Sequence, residues 1–233
     1  AVGKPVYELL CTEGTPRRQI AIYASGGVEH AWYENGAEAL IREALRHREA
    51  GYDAFKFRPG TDWQAAGMTL EKYAPILERL RDAVGPEFRL MHEGLGMSLG
   101  SLEAIISDFA PLLETLDFYW FEEAFGGTNI DHIDLFIRLK EAMPTVRVSG
   151  GERFRERFEA QVWLDREALD IVQTDCNVTG LTENWYIARM AHLRGISLIP
   201  HNWHGGGTTM ANAHLVAAIA NGEYCELNQT YNP

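Results

Sequence analysis

The sequence predicts a TIM-type (β/α)7β barrel, an α/β fold in which eight parallel strands alternate with seven helices. Short apolar runs of strand length alternate with stretches of helical period along the chain. Eight such runs are present, and the 233 residues are close to the roughly 250 that one barrel needs. A doubly wound open sheet is the alternative, but no glycine-rich phosphate-binding turn follows the first strand. We therefore expect one barrel without an internal linker.

The strands are expected where apolar runs end at turn residues or at charged residues. The first run, for example, is closed by Ser25, Gly26 and Gly27. The eight predicted strands cover 19–24, 52–57, 89–93, 118–121, 146–152, 169–174, 196–200 and 223–227.

Apolar residues that recur every three or four positions predict the helices between these strands. In the first helix, Leu40, Ile41 and Ala44 share one face, and Gly51 follows its end. Gly85 and Pro86 end the second helix in the same way. The predicted helices cover 36–50, 70–84, 101–116, 130–143, 157–164, 182–193 and 209–220.

The composition is that of an acidic protein with reduced thiols. There are 21 Lys and Arg against 33 Asp and Glu, so neither nucleic acid nor an anionic membrane surface is expected as a partner. Cys11, Cys176 and Cys225 are an odd number without metal-ligand spacing, which indicates a cytoplasmic location. We also expect no signal peptide and find no apolar run of about 18 residues.

Three glutamates, Glu93, Glu122 and Glu152, stand where predicted strands three, four and five end. Because parallel strands point the same way, their ends meet at one rim. Three carboxylates there would repel one another unless a divalent cation lay between them, and oxygen ligands favour Mg²⁺. The spacing therefore predicts a magnesium site.

The other strand ends also carry ionisable residues. Lys56 and Arg58 end strand two, and the period of two sends both to the same side. Strands six, seven and eight end in Asp175, His201 and Glu226. A single charged strand end is usually a solvated loop residue, but a series of complementary groups indicates an active site.

These motifs resemble those of the enolase superfamily, in its mandelate racemase and muconate lactonizing enzyme-like branch of the acid-sugar dehydratase type. The resemblance extends over essentially the whole chain. It is carried by Trp120-Phe121-Glu122-Glu123, Gly151-Glu152, Asp175 with Gly180-Leu181-Thr182-Glu183, Pro200-His201-Asn202, and Glu226.

The resemblance implies a ligand set for Mg²⁺, namely Glu93, Glu122 and Glu152. At the first of these positions the family normally has Asp, so Glu93 is longer by one methylene. Its neighbour His92 is a distant second candidate.

The resemblance also implies roles in catalysis. His201 would be the base that removes the proton α to a carboxylate, with Asp175 holding its other nitrogen. Lys56 would stabilise the enediolate charge, and Glu226, if protonated, would hydrogen-bond the substrate carboxylate. Arg58 stands where the family commonly has a basic Lys.

Two histidines and one arginine separate the possible reactions. Because the Arg58 guanidinium stays protonated and is a poor base, it weakens a racemase interpretation, which needs a base on each face of the carbon. One base, His201, suffices to dehydrate an acid sugar to a 2-keto-3-deoxy acid. His204 is a further acid candidate, although a loop histidine without a role is more common.

We therefore expect an acid-sugar dehydratase, with a racemase or epimerase of a 2-hydroxy acid as the second interpretation. Residues 1–15 resemble the junction with a capping domain, and 16–233 would be the catalytic barrel. Because the capping domain is not part of this sequence, a non-catalytic, metal-binding barrel is a third interpretation. The expected partner is a small carboxylate substrate, and exposed helices leave a homo-oligomer open.

Overall fold

The computed structural model describes residues 2–28, 37–59, 63, 66–95 and 97–231. Contacts between residues group the chain into two units. We call residues 23–148 the central unit, and residues 1–22 together with 149–233 the terminal unit. Each unit has parallel strands and buried apolar residues of its own.

Eight strands alternate with helices in the described residues, which confirms the predicted α/β class and strand count. Each strand overlaps its predicted range. They are β1 (Ala21–Gly26), β2 (Ala54–Phe57), β3 (Arg89–Glu93), β4 (Trp120–Glu122), β5 (Arg147–Gly150), β6 (Ile171–Val172), β7 (Ser197–Leu198) and β8 (Tyr224–Asn228).

The helices follow the predicted order, with one short helix added before β1 and another after β6. They are α1 (Val6–Leu10), α2 (Ala37–Glu49), α3 (Leu70–Val84), α4 (Leu102–Ala104), α5 (Ala110–Thr115), α6 (Ile133–Ala142), α7 (Arg157–Asp165), α8 (Cys176–Thr179), α9 (Leu181–His192) and α10 (Gly207–Ala218). The predicted start of the first helix, Gly36, lies outside the described residues. In the described part of the chain, no helix has the length and hydropathy needed to cross a membrane.

In the central unit, β1, β2, β3 and β4 pair in parallel in chain order. The register places Phe57 beside His92, and Glu93 beside Glu122. Helix α3 buries Tyr73 and Leu77 on one face and ends at Gly85, whose φ of 76° is easily adopted only by glycine. The register thus brings the charged ends of β3 and β4 side by side.

The third predicted helix, 101–116, is not one regular α-helix. It consists of α4, a π-helical turn over Ile105–Phe109 and α5. Pro111 in the first turn of α5 lacks the N–H that would bond to the Ser107 carbonyl, and the backbone before it widens so that Ala110 N bonds to Ile105 O. A 3₁₀ turn, Ile130–His132, similarly precedes α6.

In the terminal unit, β5, β6 and β7 pair in parallel, and Leu198 of β7 bridges to Gly222 just before β8. The N-terminal segment packs on α10, where the rings of Tyr7 and His214 stack with centroids 5.7 Å apart. Arg17 donates to the carbonyls of Val216 and Ile219 at the end of α10, and to that of Gly222 in the turn that follows. These contacts satisfy carbonyls that a helix end leaves without partners.

Candidate active site

In the central unit, the ends of β2 and β4 form a buried ion pair. The Lys56 Nζ atom lies 2.7 Å from Glu122 Oε1, and both side chains are almost fully buried. The other oxygen, Oε2, accepts a hydrogen bond of 3.2 Å from Trp120 Nε1, two residues earlier on β4. A buried carboxylate needs such partners because an isolated charge is costly in the interior.

A second ion pair joins the ends of β2 and β3. Arg58 Nη1 lies 3.7 Å from Glu93 Oε1, and Glu93 is buried while Arg58 is partly exposed. Both basic side chains at the end of β2 thus lie beside strand-end carboxylates.

Gly94 allows the chain that follows β3 to pass close to the turn that follows β4. Its N–H donates to Glu122 O at 2.7 Å. A Cβ atom at Gly94 would lie 2.9 Å from Ala124 Cα, closer than real Cβ contacts, and 3.1 Å from Glu123 O, which is tighter than most. Glu123 itself has a φ of 46°, which is unusual for a residue with a side chain. The close approach therefore requires glycine.

His92, the second metal candidate, takes no part in this group of charges. Its Nε2 atom lies 2.8 Å from the Tyr73 hydroxyl, and its ring contacts Phe57, Phe109 and Phe121 edge-on. Burial lowers the pKa of His92 to about 3, so the imidazole is neutral. Because β-strand side chains alternate, His92 points to the opposite face from Glu93.

In the terminal unit, His201 links two carboxylates. Its Nδ1 atom lies 2.9 Å from Asp175 Oδ2, which is the hydrogen bond expected from the sequence. Its Nε2 atom lies 3.3 Å from Glu152 Oε2. Asp175 is buried, whereas His201 is partly exposed. The arrangement fixes the ring orientation and leaves Nε2 directed towards a strand-end carboxylate.

The turn after β5 carries Glu152. Gly151 has a φ of 106°, and the Phe154 ring occupies the space that a Cβ atom would need, 2.7 Å away. Arg153 Nε lies 3.5 Å from the Glu152 Oε1 atom, but its side chain is largely exposed. Glu152 therefore faces His201 on one oxygen and a solvated guanidinium on the other.

Glu226 is held by the segment that follows β7. Its Oε2 atom accepts a 2.6 Å hydrogen bond from Asn202 N, and its backbone carbonyl accepts one of 3.1 Å from Asn202 Nδ2. Asn212 Nδ2 donates to His201 O at 3.0 Å. Sequence reasoning gave neither asparagine a role, although Asn202 stands in the Pro200-His201-Asn202 motif.

Two cysteines lie next to predicted site residues, Cys176 after Asp175 and Cys225 before Glu226. Burial raises the pKa of the Cys176 thiol to about 12, with the Asp175 charge as a further cause. Burial also raises the pKa of Cys225 to about 12, helped by Glu226 and Cys176. Both are free thiols, and because a raised pKa disfavours the thiolate, we do not expect either to act as a nucleophile at neutral pH.

The structure thus brings the predicted residues together in two groups, one in each unit. The central unit pairs Lys56 with Glu122, and Arg58 with Glu93. The terminal unit joins Glu152, His201 and Asp175, while Glu226 is attached through the segment after β7. The catalytic and metal-binding roles of these residues stay predictions.

Comparison with known families gives a match to the family described as enolase C-terminal domain-like, over residues 39–233. Among curated proteins, the chain is 30% identical over 230 residues to the arabinonate dehydratase of Saccharolobus solfataricus, covering 98% of the chain and 57% of that protein. It is 27% identical to the D-gluconate dehydratase of Thermoproteus tenax, covering 88% of the chain and 39% of that protein.

Among solved structures, the 3,6-anhydro-D-galactonate cycloisomerase of Zobellia galactanivorans is similar, with a TM-score of 0.80 and 30% identity over 98% of this chain and 58% of that chain. The chain spans between about two fifths and three fifths of the length of these relatives. The matches confirm the predicted resemblance and the predicted TIM-type fold class.

Proposed function

We propose that this chain, which belongs to the enolase C-terminal domain-like family, carries the catalytic residues of a Mg²⁺-dependent acid-sugar dehydratase. The observation that carries the proposal is the geometry of His201, whose Nδ1 is held by Asp175 while Nε2 points to Glu152. The dehydratase relatives support the same reaction class.

For the metal, we propose that Glu93, Glu122 and Glu152 together bind one Mg²⁺ ion. The residues fit such an ion because they offer only carboxylate oxygens, the donors that Mg²⁺ prefers. Each also faces a basic side chain, Arg58, Lys56 or His201, as expected for carboxylates whose charge must be balanced. When bound, Mg²⁺ supplies positive charge that stabilises the negative charge developing on the substrate carboxylate.

The protein residues divide the remaining work. His201 takes the α-proton, and Asp175 keeps its proton-accepting nitrogen correctly oriented. The C–H electron pair forms a carbon–carbon double bond as the bond to the β-hydroxyl breaks. That hydroxyl takes a proton from the protonated His201 or from a second acid and leaves as water. The resulting enol becomes a 2-keto-3-deoxy acid. Lys56 stabilises charge on the carboxylate oxygens, and Glu226, in its protonated form, binds a substrate carboxylate oxygen.

Arg58 argues against racemisation of a 2-hydroxy acid. Its guanidinium pairs with Glu93 and cannot accept a proton at neutral pH, so the second face of the carbon lacks a base at this position. One-base elimination needs no second base. A ring oxygen at the β-position can also leave after the same proton transfer, which gives an isomer of the substrate instead of a dehydrated product.

The test is a screen of aldonates and aldarates with Mg²⁺ present. We expect a 2-keto acid, detected with a carbonyl reagent, whose mass is lower than that of the substrate by one water. An unchanged mass with a new carbonyl would indicate ring opening. EDTA should abolish turnover.

A 2-hydroxy acid without a β-hydroxyl serves as the discriminating substrate in deuterated water. Inversion accompanied by deuterium uptake would contradict the dehydratase proposal and favour a racemase. Mg²⁺ binding without turnover of any acid sugar would favour a non-catalytic, metal-binding barrel.

A further inference from the structure

Asp175 is shared by two histidines. Its Oδ1 atom accepts a 2.7 Å hydrogen bond from Asn177 N at the start of α8. Its Oδ2 atom lies 2.9 Å from His201 Nδ1 and 3.6 Å from His204 Nε2. Since both nitrogens approach the same oxygen of one buried carboxylate, the two rings are close neighbours.

The position of His204 is fixed by side chains and not only by its loop. Asn177 Nδ2 lies 3.2 Å from His204 Nε2 and donates to it when the ring is neutral. When the ring is doubly protonated, the amide turns over so that its oxygen accepts from Nε2. Thr209 Oγ1 donates a hydrogen bond of 3.5 Å to His204 O and accepts one of 2.8 Å from Asn202 Nδ2. Thr209 therefore anchors both His204 and Asn202. Asn202 in turn binds Glu226.

The two rings present opposite nitrogens to Asp175. His201 uses Nδ1 and directs Nε2 towards Glu152, whereas His204 uses Nε2. For the His204 Nδ1 atom, the described residues offer no hydrogen-bond partner. The His204 side chain is 43% exposed, against 14% for His201, so this nitrogen is accessible to a bound molecule or to water.

We propose that His204 is the general acid of the dehydration, delivering a proton from Nδ1 to the departing β-oxygen while His201 removes the α-proton. The inference rests on the proposed function and deepens it. Hydroxide is a poor leaving group, so the elimination needs a proton donor as well as a base. With two histidines, neither ring has to reach both the α-carbon and the β-oxygen.

The proton balance of this step suits a shared carboxylate. Before the step, His204 carries the extra proton and His201 is neutral. After it, His201 carries the α-proton, His204 is neutral, and the oxygen leaves as water. The positive charge has moved from one side of Asp175 to the other, so one counter-ion serves both states. Proton exchange with solvent then resets the pair.

The test separates the two proton transfers by using the His204→Gln variant with the acid sugar identified by the screen. We expect dehydration to fall by about 10²–10⁴-fold, the usual contribution of a general acid. Exchange of the α-proton in deuterated water should persist in the recovered substrate. His201→Asn should lose both, and His192→Gln, a histidine on α9, should lose neither.

A substrate analogue with fluorine in place of the β-hydroxyl gives the decisive comparison. Fluoride leaves without prior protonation, so His204→Gln should release it at nearly the wild-type rate. Equal loss with the hydroxyl and fluoro substrates would mean that His204 only supports the loop, and unchanged dehydration would overturn the proposal directly. If His204→Gln is poorly folded, His204→Ala with added imidazole replaces it, and rescue of dehydration is expected.

Failure of the proposed function gives a different result. In that case the wild-type protein itself releases no water from any acid sugar, and the role of His204 fails with it. If the wild-type protein is active and the His204 variants are equally active, only the present inference is wrong.

Discussion

The central and terminal units hold their strand-end carboxylates with different kinds of partner. In the central unit, Glu122 and Glu93 face Lys56 and Arg58, whose charges do not change near neutral pH. In the terminal unit, Asp175 faces His201 and His204, and imidazoles exchange protons in this range. On the proposed mechanism, one unit would supply fixed charge and the other would supply proton transfer. Damage to the first should cost stability, and damage to the second should cost turnover alone.

Lys56→Met should have the largest effect on stability because it removes a fixed charge from the interior. It leaves the Glu122 carboxylate without its cationic partner, and we expect the free energy of unfolding to fall by about 3–5 kcal/mol. Urea unfolding measures the change. Turnover should be lost as well.

The control for Lys56 is the exposed Lys72, whose substitution by Met should change stability by less than about 0.5 kcal/mol. In the double variant Lys56→Met/Glu122→Gln, part of the lost stability should return because no buried charge remains. A single Lys56→Met variant that unfolds at the wild-type urea concentration would show that the pair carries no such energy.

His201→Asn should impair turnover through the terminal unit without a large loss of stability. Turnover should fall by about 10²–10⁴-fold through loss of the base, while the free energy of unfolding changes by less than about 1 kcal/mol. Steady-state kinetics and urea unfolding measure the two quantities, and calorimetry should find Mg²⁺ binding nearly intact. Retained turnover would move the base elsewhere, with Lys56 as the next candidate.

Gly94→Ala should destabilise the central unit without removing any charge. The added Cβ meets the Ala124 and Glu123 backbone, and overpacking of this kind costs about 1–3 kcal/mol. Gly207→Ala is the matched control because no atom lies within 4 Å of its new Cβ, and α10 begins there. The control should be neutral or slightly more stable, and equal thermal shifts in both variants would contradict the steric explanation.

The smallest effect near neutral pH concerns a buried thiol of the terminal unit, whose contribution changes only at alkaline pH. The folded-state pKa of Cys225 is about 12, against an ordinary value of 9.0. Its contribution to stability is therefore complete below pH 9 and is lost as the pH rises towards 12, by about 1.4 kcal/mol per pH unit. Urea unfolding between pH 8 and 10 measures this change. The free energy of unfolding should fall less steeply with pH for Cys225→Ala than for the wild-type protein, and identical slopes would contradict the prediction.

The sequence predicted those parts of the fold that local signals specify. Helix α3 was predicted to the residue because an apolar face ends at Gly85. The π-helical turn before α5 was missed, since the spacing of apolar residues barely differs from that of a regular helix. Strands β6 and β7 were predicted to be longer than the two residues that each has. The ends of a strand are set by hydrogen bonds to neighbouring strands, which the local sequence does not specify.

For the site, period-two alternation placed Lys56 and Arg58 on one side, but it could not assign their partners. The pairing of Lys56 with Glu122 and of Arg58 with Glu93 depends on the offset between strands, which no local pattern records. The Asp175–His201 hydrogen bond was predicted through the family resemblance. Asn202 had no signal of its own, since an asparagine after a strand is ordinary turn composition.

The hydrogen bonds from Arg17 to the end of α10 have a consequence for the order of folding. Arg17 and Val216 are 199 residues apart, so the last turn of α10 acquires this partner only after all the residues between them have been made. Contacts of such sequence separation form late and slow folding, because a long loop must close first. During synthesis, the last carbonyls of α10 would lack these hydrogen bonds until the helix had left the ribosome and contacted the segment around Arg17.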